Sequence, residues 1–127
     1  MFKTAILVSL FVSSLAWAGS SEPLATFEVK LPVLVDASQM SVYTYDPDTT
    51  GVSNCNGGCA KAWPPVLHTG ATAPQAPFST VTRKDGTIQL AYQGHPLYTY
   101  VGDANPGDIT GNGLGGVWHL VVTPALN

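Results

Sequence analysis

The apolar residues of this chain fall in short runs closed by Gly, Pro, Asp or Asn, a pattern of strands and turns rather than of amphipathic helices. Phe27-Glu28-Val29-Lys30-Leu31 and Val33-Leu34-Val35 read as one extended segment interrupted by Pro32, and Met40 to Asp46 as a strand that stops at the turn Asp46-Pro47-Asp48. Ser79 to Arg83 and Thr87 to Tyr92 flank Lys84-Asp85-Gly86, whose Asp-Gly pair is a hairpin signal. Leu97 to Val101 and Val117 to Val122 complete a set of about six or seven predicted strands. Only Gly58 to Ala62 reads as helical, and it has to stop by Trp63, because Pro64 and Pro65 disfavour the helical conformation of the residue before each. Ala71 to Pro77 is expected to be a linker.

The chain also repeats itself. An offset of 55 positions superposes Tyr43-Thr44-Tyr45 on Tyr98-Thr99-Tyr100, Asp48 on Asp103, Gly58 on Gly113 and Trp63 on Trp118 without a gap. Two copies of one supersecondary unit usually pack together to bury a shared core. The expected fold is therefore all-β: a small single domain of two pseudo-symmetric β repeats, residues 27–66 and 78–122, with one short helical turn and long Gly/Pro-rich loops. Period-two geometry puts Tyr43 and Tyr45 on one face of their strand, and Tyr98 and Tyr100 on one face of theirs. These rings and the two tryptophans form either the core, with their polar tips bonded at its edge, or an aromatic platform for a ligand.

Composition adds the compartment. Lys3, the apolar run Ala5 to Leu15 and Ala16-Trp17-Ala18 have the order of a secretory signal peptide over residues 1–18, followed by a flexible segment over 19–26 and a folded domain over 27–123. The apolar run is too short for a span, so no transmembrane segment is expected after cleavage, and the protein is expected in the periplasm or the medium. The remaining cations, Lys30, Lys61, Arg83 and Lys84, face eight carboxylates, which excludes a nucleic-acid binder. All 13 Gly and 10 Pro lie beyond the signal, yet a hydrophobic content of 45% argues against disorder.

Cys55 and Cys59 are the only cysteines, and in an exported chain their default state is a disulfide. Three intervening residues suit neither a thioredoxin-like pair nor a c-type haem site, which also needs a histidine where Ala60 stands, so no haem is expected. A redox-active pair and a zinc site with His68 remain as alternatives.

Tyr43 to Asp48 and Tyr98 to Asp103 both read Y-x4-D. Together with VLVDASQMSVYTYDPDTTG from Val33, CNGGCAKAWPPV from Cys55 and QLAYQGHPLYTYVGDANPGDITGNGLGGVWHLV from Gln89, they resemble the bacterial secreted-repeat family of predicted lipoproteins that carry a Y-x-aromatic-x-x-D motif. The resemblance spans roughly residues 29 to 123 and implies an exported small β protein with no established reaction. Many relatives are lipoproteins, whereas no cysteine lies near the cleavage point here.

Candidate chemistry is confined to a few places. Asp103, Asp108 and Asn112 lie among glycines in a loop of oxygen ligands suited to calcium, although the same residues cap turns without any ion. His95 and His119 are candidate ligands for copper or zinc if the fold brings them together. No nucleophile elbow, phosphate-binding glycine loop or zinc-protease motif is present, so a non-enzymatic role is favoured. The resulting expectation is an exported cell-envelope binding or interaction module for a small ligand or envelope protein, the alternative being a periplasmic metal-binding or redox protein. Function is expected in the two corresponding loops, Pro47 to Gly58 and Gly102 to Gly116, with Tyr43, Tyr45, Asp48, Trp63, Tyr98, Tyr100, Asp103 and Trp118 as the platform.

Overall fold

Tyr43 and Tyr98, equivalent residues of the two repeats, face each other across an antiparallel bridge in which each N–H donates to the other's carbonyl, at 2.8 and 3.0 Å. A pair that exchanges both bonds sits on a local two-fold axis, and the rest of the architecture follows from it. The computed structural model describes residues 32–123; the expected signal peptide, the segment 19–26 and the predicted strand start at 27–31 lie outside the described residues.

Among the described residues, five strands and one helix form around this axis. They run in the order β1 (Tyr43–Tyr45), α1 (Gly58–Ala62), β2 (Phe78–Thr82), β3 (Ile88–Tyr92), β4 (His95–Pro96) and β5 (Trp118–Leu120), with a 3-10 turn over Leu114–Gly116 before β5. β1 pairs antiparallel with β5, Thr44 opposite His119, and β2, β3 and β4 form a second antiparallel sheet in that order. The β2–β3 hairpin closes where the Asp-Gly signal predicts. Gly86 has φ +85, and the Asp85 carboxylate accepts from the Thr87 N–H and hydroxyl at 2.9 and 2.6 Å.

The symmetry is kept in the hydrogen bonds. Val66 N–H donates to Leu97 C=O, as Val121 N–H does to Val42 C=O; Val101 N–H donates to Ala62 C=O, as Asp46 N–H does to Val117 C=O. α1 and the 3-10 turn occupy equivalent places, each delivering its tryptophan into the core.

Strand content is lower than the hydrophobic pattern suggests. Met40 to Asp46 contracts to Tyr43–Tyr45, and Leu97 to Val101 forms no ladder. Its neighbour includes Pro64 and Pro65, which have no N–H to donate, although the Pro64 carbonyl accepts from Thr99, so Tyr98 makes only isolated bridges, to Tyr43 and Pro65. Val33 and Val35 are likewise single bridges, to Val122 and Ser41.

Two apolar clusters result. The first holds Tyr43, Cys55, Trp63, Tyr98 and Trp118. The second holds Val42, Leu97 and Val121, with Leu34, Val66, Phe78 and Leu90 packed against it.

Candidate functional site

The aromatic residues of the repeat motif form one continuous stack. Trp63 and Trp118 lie face to face with centroids 3.8 Å apart and planes 4° from parallel. Tyr100 covers the outer face of Trp63 at 4.3 Å, and Tyr45 the outer face of Trp118 at 4.2 Å. Tyr43 meets Trp63 edge-on at 5.4 Å and Tyr98 meets Trp118 edge-on at 5.3 Å. Each such pair contributes about 0.5–1.5 kcal/mol beyond its area. Gly111 closes the stack from the side, since a Cβ there would lie 2.7 Å from Trp63 Cη2 and 3.1 Å from Tyr43 Cζ.

The tyrosine hydroxyls cross between repeats. Tyr43 donates to Asp103 Oδ2 at 2.7 Å, and Tyr98 donates to Asp48 Oδ2 at 2.7 Å. Each Y-x4-D motif therefore supplies the tyrosine for one bond and the aspartate for the other. The second oxygen of each carboxylate holds its own loop. Asp103 Oδ1 accepts from the Thr110 N–H and hydroxyl, and Asp48 Oδ1 accepts from the Asn54 N–H. Burial, with Asp103 as acceptor, pushes the Tyr43 hydroxyl well above the ordinary phenol range. Burial likewise pushes Tyr98 up to about 12, with Asp48 adding to the shift. Asp48 is also raised by burial, against the opposing pull of its Asn54 and Tyr98 donors.

A buried polar network extends this arrangement, and it was not among the residues expected from sequence. Tyr98 spends its proton on Asp48, so Ser53 Oγ, 2.5 Å away, is the donor to the Tyr98 oxygen. Arg83 in turn donates to Ser53 Oγ, Gln89 Oε1 and the Cys55 carbonyl at 2.7–2.9 Å. Arg83 is 6% exposed, and among the described residues no carboxylate lies within ion-pair distance of it. The available signal was the period of two, which puts Arg83 on the face of Val81, a core residue.

Cys55 and Cys59 form a disulfide with Cα atoms 5.2 Å apart, which fixes the loop entering α1. In the Gly-rich loop Asp108 Oδ2 accepts from the Ala104 and Asn105 N–H groups at 2.9 Å, and Asn112 Oδ1 from the Leu120 N–H at 3.1 Å. These are turn-closing bonds that need no ion. His95 lies in the three-stranded sheet and His119 in the two-stranded one, where it makes an exposed pair with Asp46 at 2.9 Å that contributes at most about 1 kcal/mol. Among the described residues, no three His, Cys, Asp or Glu side chains stand together as a metal set.

An open cavity of about 280 Å³ lies over the second cluster. Its floor is Leu34, Val42, Val66, Phe78, Leu90 and Leu97, and Asp36 and His68 stand at its edge. Val35 and Leu67 beside them remain 38% and 46% exposed. Of these residues only His68 figured in the sequence reading, as a candidate zinc ligand beside the cysteines, and none was expected to line a cavity. Leu34 and Leu90 hold equivalent places, each accepting at its carbonyl from the N–H of Val42 or Leu97.

A family model described as a secreted repeat of unknown function matches the chain twice, over residues 32–67 and 79–122. No curated protein and no solved structure matches it.

Proposed function

This chain belongs to the family of secreted repeats of unknown function, and on that premise we propose that it is a non-enzymatic binding module outside the cytoplasmic membrane, with the open apolar cavity as its binding site. The cavity carries the reading. Elsewhere the motif side chains are consumed in stacking and in hydrogen bonds to one another, whereas here a concave apolar floor faces outward beside exposed Val35 and Leu67. Concave, mostly apolar sites with a few polar groups at the edge are the usual form of small-molecule sites. At about 280 Å³ the space suits one small apolar group, such as a short acyl chain or an aromatic ring. Asp36 and His68 at the edge provide the polar contacts that orient it. Asp36 is already held in place, accepting at Oδ1 from the Ser38 and Met40 N–H groups. Among the described residues no helix is long and apolar enough to cross a membrane.

Titration with the neutral fluorophore N-phenyl-1-naphthylamine tests this. Saturable one-to-one binding is expected, lost in Thr69→Phe and Ala37→Phe, two changes at lining positions exposed to solvent, without loss of thermal stability. Absence of saturable binding, or binding indifferent to both substitutions, overturns the assignment.

A further inference from the structure

The stacked core has a property that packing does not require: every ring in it is an oxidisable one, and each buried phenol is already bonded to a base. Tryptophan and tyrosine are the side chains most readily oxidised by one electron. Face-to-face contact at 3.8 Å and 4° lets Trp63 and Trp118 share a hole between them. The outer rings, Tyr45 and Tyr100, are half-buried and lie within reach of solvent, whereas Trp63, Trp118, Tyr43 and Tyr98 are buried. A stack with accessible ends and a dry centre is the arrangement a charge relay needs.

The inner tyrosines complete it. A phenol that loses an electron becomes a strong acid and must release its proton. Tyr43 and Tyr98 each have a carboxylate oxygen at 2.7 Å aligned to receive that proton. Both hydroxyls are held well above the ordinary phenol range, so in the resting protein the proton resides on oxygen and has to move as the electron leaves. A structural hydrogen bond alone would be served by any acceptor, including a backbone carbonyl, whereas both repeats place an ionisable carboxylate there.

We propose that the aromatic core is a one-electron relay that quenches small oxidising radicals: Tyr45 or Tyr100 passes an electron outward, and the hole settles on Tyr43 or Tyr98. The radical oxidant takes one electron and becomes its anion. The electron is replaced through Trp63 or Trp118 from Tyr43 or Tyr98, which becomes a neutral phenoxyl radical as its O–H bond breaks. The proton passes to Oδ2 of Asp103 or Asp48, which becomes a carboxylic acid. The proposal uses none of the cavity residues and stands or falls separately from it.

Pulse radiolysis with azide radical as the oxidant tests the relay on the purified protein. Removal of the expected signal peptide takes Trp17 with it, so the indolyl signal then comes from the stacked pair alone. In the wild type the hole that enters at Tyr45 or Tyr100 is expected to appear as an indolyl radical once it reaches the stacked pair, and then to convert to a tyrosyl radical at a rate independent of protein concentration and slower in D2O. In the Tyr43→Phe, Tyr98→Phe double variant the indolyl radical is expected to persist about tenfold longer or more, while Tyr92→Phe, away from the stack, leaves the conversion unchanged. If the double variant does not fold, the concentration and D2O dependence of the wild type decides the matter. Conversion that is bimolecular, insensitive to D2O or unaffected by the double substitution overturns the proposal.

Discussion

Tyr43→Phe removes one oxygen atom from the centre of the domain and separates two readings of the repeated motif. The hydroxyl donates to Asp103 Oδ2 at 2.7 Å and accepts from the Gly111 N–H at 3.3 Å. Its loss leaves a buried carboxylate oxygen without its donor, while Oδ1 keeps both bonds from Thr110. A hydrogen bond to a charged group is worth about 1.5–3 kcal/mol, so a total loss of about 2–3 kcal/mol is expected. For a domain of this size that lowers the melting temperature by roughly 10–20 °C. The informative assay is a pair of double-mutant cycles by urea unfolding with the disulfide intact. Tyr43→Phe with Asp103→Asn, across the repeats, should show a coupling energy of about 1.5–3 kcal/mol. Tyr43→Phe with Asp48→Asn, within one Y-x4-D motif, should be additive to within about 0.5 kcal/mol. Coupling within the motif and additivity across the repeats would refute the crossed arrangement.

Three further outcomes follow from the same packing. Gly111→Ala places a Cβ 2.7 Å from Trp63 and should cost about 1–3 kcal/mol in chemical denaturation, whereas Gly58→Ala, in a helix with open space around it, should stabilise by about 0.5–1 kcal/mol. Arg83→Lys cannot reproduce the guanidinium fork that reaches Ser53, Gln89 and the Cys55 carbonyl, and it should destabilise by about 2–4 kcal/mol, read from the urea midpoint. Alkali should unfold the protein through its buried phenols. Tyr98 titrates at about 12 when folded against an ordinary 10.0, so its contribution is fully present below pH 10 and is lost as the pH rises towards 12, and Tyr98→Phe should flatten that part of a stability–pH curve.

Much of the scaffold was legible in the chain. The offset of 55 found the residues that stack and bond across the axis, because the same aromatic rings and turn aspartates recur at equivalent places in both repeats. α1 was bounded by Pro64 and Pro65, whose steric effect is local, and the β2–β3 turn by Asp85-Gly86. What local pattern could not show was which repeat each hydroxyl bonds to, since the bonds join residues 60 and 50 positions apart. The strand expected over Leu97 to Val101 was overestimated for a related reason: its apolar alternation is real, but the ladder depends on a neighbour that carries two prolines. Arg83 ends a predicted strand, and only tertiary packing reveals that four neutral acceptors enclose it. The cavity was illegible because its floor residues, Leu34 and Leu90 among them, look in sequence like any other core positions.

The most direct test of the account is a residue-resolved NMR titration of the protein with N-phenyl-1-naphthylamine. The account predicts saturable shifts in the methyl signals of Leu34, Val42, Val66, Leu90 and Leu97, with the Trp63 and Trp118 indole signals unmoved. Shifts confined to the indoles or to the loops of residues 47–58 and 102–116, with the cavity methyls silent, would contradict it.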